Sequence, residues 1–149
     1  MRQIVDRVAT SSRNAGRAPA EVRMVLWVGC AVGPEEQARR EVAPWVRSVL
    51  RHPLAFEISA EVQAAREQIR SSYDFALHMS HESVVSDGLP VDLLRRFALA
   101  GTESRLAEHL HGLTKLPVDE IVLVIMGRDP VAQAACLNRI AGAAAAGGH

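Results

Sequence analysis

The apolar positions of this 149-residue chain change their period along its length. Over residues 2–15, Ile4, Val5, Val8 and Ala15 share one helical face, with Arg2, Asp6, Arg7 and Arg13 elsewhere; that spacing predicts an amphipathic helix, closed by Gly16 and stopped by Pro19. From Val22 to Cys30 the helical period is lost and the residues are β-branched, aromatic or otherwise apolar, which predicts a strand. Gly33-Pro34-Glu35-Glu36 then opens a helix, with Pro in the first turn and two carboxylates against the positive end of the dipole. Its apolar stripe runs through Ala38, Val42, Trp45, Val46 and Val49, and Pro44 inside it predicts a kink or a split. After His52-Pro53, a further helix from about Ser59 carries Val62, Ala65, Ile69 and Tyr73 on one face.

Residues 78–90 contain three Ser, a Gly and a Pro with no helical period, the composition of a loop. A helix from about Pro90 is predicted to end between Phe97 and Ala100-Gly101, before a break at Gly101-Thr102. Thr102 is placed to cap a helix over 103–113 with Leu106, Leu110 and Leu113 inward. Residues 120–126 follow as a second strand, whose run Ile121-Val122-Leu123-Val124-Ile125-Met126 has no polar alternation. Such a strand must be covered on both faces, the condition of a parallel α/β sheet or barrel. A last helix begins at Pro130 with Val131, Ala134, Leu137 and Ile140 inward, and the tail over 141–149, with no side chains to anchor it, is predicted to be flexible. Two strands separated by a long helical crossover are expected side by side and parallel.

Composition narrows the classes. Lys plus Arg and Asp plus Glu both number 17, so the net charge is zero. The two signs are interleaved, which argues against a nucleic-acid or anionic-membrane partner. No apolar run approaches the ~18 residues of a bilayer span and MRQIVDR lacks the apolar core of a signal peptide, so a cytoplasmic location is expected. Cys30 and Cys136, far apart and without metal-type spacing, are expected buried and reduced. His78, His81 and Glu82 fall in a loop, do not have the HExxH spacing and suggest no third ligand, so no metal site is assigned. His109 and His111 point to different helix faces and read as surface residues, and Asp74 beside Tyr73 reads as a solvent-facing helix residue. There is no GxSxG, phosphate loop or GxGxxG, and no catalytic residue is assigned.

One stretch carries a resemblance. VDLLRRFALAGTESRLAEHL (91–110), a short Leu-Pro spacer and VDEIVL (118–123) resemble the C-terminal end of the luciferase-like monooxygenases, flavin- or F420-dependent barrel oxidoreductases. The similarity extends through NAGRAPAEVRMVLWVGCAVGPEEQARREV (14–42) and SSYDFALH (71–78). In that family the Gly-Thr pair opens the helix before the last barrel strand. The resemblance therefore implies a partial (β/α)8 TIM barrel: C-terminal units comprising about two parallel strands and about seven helices over residues 1–140, with 33–90 as a helical insertion and loop. A whole barrel needs roughly 200 residues at the least and about 250 typically.

The resemblance further implies an F420 or FMN cofactor and a small-molecule substrate in the full-length family. The chain alone is expected to be inactive and to bind neither cofactor, and to self-associate or to join a missing N-terminal part. Because barrel enzymes work at strand C-termini, the positions assigned toward a cofactor are Trp27, Gly29 and Cys30, with Val28 between them, and Met126 and Gly127 after Ile125. Trp27 offers a flat apolar surface to a ring, Gly29 a close approach, and the plainer use of Trp27 is packing against helices outside the sheet. The alternative to an enzyme part is a stand-alone α/β interaction module with exposed sheet edges.

Overall fold

In the computed structural model, residues 2–54, 58–72, 75–77 and 89–146 are described. Residues 78–88 of the predicted loop at 78–90, with His78, His81 and Glu82, and Tyr73 and Asp74 lie outside them. The elements are α1 (Arg2–Asn14), a 3-10 turn at Pro19–Glu21, β1 (Val25–Val32), α2 (Glu35–Arg51), α3 (Ala60–Ser72), a 3-10 turn at Phe75–Leu77, α4 (Val91–Phe97), β2 (Ala98–Gly101), α5 (Glu103–Leu113), β3 (Glu120–Ile125) and α6 (Pro130–Ala146).

The three strands form one parallel sheet in the order β2-β1-β3. β1 and β3, the two strands legible in the sequence, are parallel neighbours as expected, in register from Val25 opposite Glu120 to Cys30 opposite Ile125. β2 was not expected: the stretch read as the end of a helix to Ala100-Gly101 leaves the helix at Phe97 and becomes a strand. The Trp45 indole N–H donates to the Phe97 carbonyl (3.1 Å) at this switch. Gly101, at φ +139, ends β2 in a conformation that side-chain-bearing residues rarely adopt.

Helices cover both faces of the sheet. On one face α2, α3 and α4 pack over Ala31, Ala98, Ala100 and Val124, and on the other α5 and α6 pack over Val28, Cys30, Leu99, Leu123 and Ile125. This placement accounts for the strand order. A right-handed crossover on one face steps to one side and a right-handed crossover on the opposite face steps back. The chain leaves β1 through α2, α3 and α4, lands on β2, returns under the sheet through α5 and pairs on the far side of β1. Among the described residues the outer edges therefore belong to β2 and β3, whereas β1 pairs with β3 from Val25 to Cys30 and with β2 from Gly29 to Val32.

The face under α2 is built from small residues. Gly29, Ala31, Ala98 and Ala100 let the helix approach closely, and Trp45 lies directly over Gly29, where an added Cβ would overlap the indole. α2 runs unbroken through Pro44, so the predicted split does not occur; Pro44 itself is buried. Arg66 of α3, 8% exposed, donates to the carbonyls of Leu50 and His52 (3.0 Å each), supplying partners to the last turn of α2. Thr102 occupies the N-cap position of α5 as expected but makes no side-chain cap bond; its hydroxyl meets Ser104 Oγ at 3.1 Å. α6 extends to Ala146, so residues 141–146 of the expected tail are helical, and Val131, expected inward, is 79% exposed.

Candidate functional site

In an open parallel sheet, ligands bind outside the carboxyl ends of the strands, where neighbouring crossovers leave to opposite faces. Here α2 leaves β1 to one face while α5 leaves β2 and α6 leaves β3 to the other, so one such position lies between the ends of β1 and β3. The crevice is filled by the chain itself. Met126 N–H donates to Cys30 O (2.9 Å), and one step further the Gln133 side chain takes over the role of a strand. Its Oε1 accepts the Val32 N–H (2.6 Å) and its Nε2 donates to the Val32 carbonyl (2.7 Å). Gly127 provides the room for it, because a Cβ there would lie 2.5 Å from Gln133 Cδ.

The five positions assigned toward a cofactor are not brought together. Gly29 is covered by Trp45 and Gly127 by Gln133. Cys30 points into the core beneath α5 and α6, whereas Met126 belongs to the opposite core beneath α2. Trp27 is 62% exposed and sits in the first half of β1, because the strand begins and ends later than its sequence suggested. Periodicity reveals neither Gln133 as the group that closes the end of β1 nor Trp45 as the cover of Gly29.

The electrostatics add no nucleophile. Burial pushes the Cys30 thiol up to about 12, so it is un-ionised at neutral pH, and its Sγ lies 3.5 Å from the Val124 carbonyl. Cys136 is raised by burial and then by its hydrogen bond to Glu103, and both cysteines are buried and free. Glu103 is correspondingly lowered, first by that bond and then by Arg139 (3.0 Å). At the C-terminal end of the sheet, Glu35 is held below the ordinary carboxylate range, first by its bond to Arg95 (3.0 Å), with Arg39 and Arg105 also on it. This cluster links α2, α4 and α5. Among the described residues no group of three or more His, Cys, Asp or Glu is placed to hold a metal ion.

A cavity of about 520 Å³ lies elsewhere, beside the first half of β1, with Trp27, Trp45, Leu26, Val49 and Leu116 in its lining and Arg95 and Arg96 at its edge. Of the five positions assigned toward a cofactor it includes Trp27 and none of the other four.

The family model of the luciferase-like monooxygenases matches residues 1–120, most of the chain. The chain belongs to that family. No curated protein and no solved structure gives a significant match to it. The match covers α1 through α5 and stops at the first residue of β3.

Proposed function

We propose that this chain is a C-terminal part of a flavin- or F420-dependent, luciferase-like oxidoreductase, and that by itself it binds neither cofactor. The family match over residues 1–120 supports the first half of this reading. The second half rests on how the assigned positions are filled: Trp45 covers Gly29 in the middle of β1, and Gln133 against Gly127 and Val32 closes the end of the strand, leaving no cradle for a ring system at either. These residues do not fit the cofactor, and no catalytic step is assigned to them.

The barrel belongs to this proposal too. Parallel strands favour it, whereas the order β2-β1-β3, with helices on both faces, departs from sequential winding inside one outer ring of helices. On our reading the missing strands would have to reorder this sheet for a barrel mouth to form. Titrating the purified chain with FMN and, separately, with F420, while following cofactor fluorescence, tests the cofactor reading. We expect no saturation; micromolar saturable binding of either would overturn it.

A second reading, a stand-alone interaction module, is favoured by the helices that sheathe both sheet faces and make the fold self-contained. For either reading we propose self-association through the outer edge of β3 and the apolar surface beside it, where Val25 and Trp27 are exposed and Val122 is half-buried. Among the described residues no helix is long and apolar enough to cross a membrane; a cytoplasmic location is part of this proposal.

A further inference from the structure

β1 is longer than β2, and the difference leaves a notch in the sheet. Gly29 through Val32 pair with Ala98 through Gly101, while among the described residues Val25 through Val28 have no strand on that side. The direction of the peptide groups follows from their neighbours. Cys30 and Val32 turn theirs toward the β3 side, to Met126 and Gln133, and Gly33 turns its N–H toward β2, to Gly101 O (2.9 Å). In a parallel ladder this alternation continues along the strand. The N–H and C=O groups of Val25 and Trp27 therefore point into the gap that ends where β2 begins.

The gap is the cavity of about 520 Å³. Trp45 and Val49 of α2 wall it above the sheet plane, and Leu113 and Leu116, at the end of α5 and just after it, wall it below. Arg96 stands at its edge and has no ion-pair partner among the described residues.

We infer that this notch accepts an extended peptide segment, apolar on both sides and carrying a carboxylate at the end that reaches Arg96. The peptide backbone answers the unpaired groups of Val25 and Trp27, as in other strand additions to a sheet edge. The walls on both sides demand the continuous apolar character of a strand buried on two faces. The notch is four residues long, so the inserted strand spans about 13 Å. A hydrocarbon chain or flat ring of the same volume would fill the walls but leave those peptide groups without partners.

The probe is a synthetic peptide, acetyl-Asp-Glu-Ile-Val-Leu-Val, added to the full ¹⁵N-labelled chain, with amide exchange read at Val25 and Trp27. We expect saturable binding and exchange at these two amides slowed about tenfold or more. Methylating alternate peptide nitrogens should abolish binding, because it removes the ladder and keeps the side chains. Arg96→Glu, an exposed change, should weaken binding about tenfold with the circular dichroism unchanged. Undiminished binding of the methylated peptide, or unchanged exchange at Val25 and Trp27 under millimolar peptide, would overturn the inference. Saturable binding of decanoate with none of the peptide would also overturn it and assign the notch to an amphipathic small molecule.

Discussion

Cys30 shows how far burial alone sets chemistry. Its thiol sits fully buried beneath α5 and α6, and desolvation raises its ionisation to about 12 from 9.0. A folded-state value above the unfolded one means that the stabilising contribution is complete below pH 9 and is lost as the pH rises toward 12. Denaturant unfolding across that window should show stability falling at up to ~1.4 kcal/mol per pH unit from this group. Cys30→Ala should remove that part of the slope. A thiol reagent at neutral pH should label neither cysteine of the folded chain and both after unfolding. The opposite constraint holds at Gly29, which lies against Trp45. Gly29→Ala should cost about 1–3 kcal/mol in equilibrium unfolding, the range for overpacking a filled core. A neutral effect would mean that Trp45 is not seated over the strand.

At the scale of elements, Gln133 joins α6 to β1 where β3 has ended. Gln133→Leu keeps the volume but leaves the Val32 N–H and C=O without partners, and should destabilise the chain by about 1–3 kcal/mol. A change well below 1 kcal/mol would mean that water replaces the amide. The elements differ in how legible they were. α1, α2, α3 and α5 show an apolar stripe with a recognisable start or stop, and β3 an uninterrupted apolar run, so local pattern was sufficient. β2 was hidden because Ala98, Leu99 and Ala100 are good helix formers and continue the pattern of α4. It is a strand because β1 offers an edge and α2 a close cover, a tertiary effect that no four-residue window contains. The site was less legible than the fold. Trp27 and Gly29 are adjacent in the strand pattern, yet one is exposed and the other closed by a helix sixteen residues away in sequence.

At the scale of the whole molecule, β3 forms an outer edge, all its residues after Glu120 are half-buried, and Trp27 and Val25 add exposed apolar surface nearby. Covering such surface is worth roughly 25 cal/mol per Å². We expect sedimentation over a concentration series to show reversible association, with Trp27→Lys shifting it toward the monomer; a single monomeric species at every concentration would remove the proposed self-association. The closed strand ends, the notch and the free edge all depend on one feature, the order β2-β1-β3. Inter-strand nuclear Overhauser contacts on the ¹³C,¹⁵N-labelled chain test that order directly. We expect Gly29 to show contacts to both Ala98 and Val124, and no contact to join β2 with β3. Contacts between β2 and β3, with β1 at an edge, would contradict the account and restore the sequential winding of a barrel.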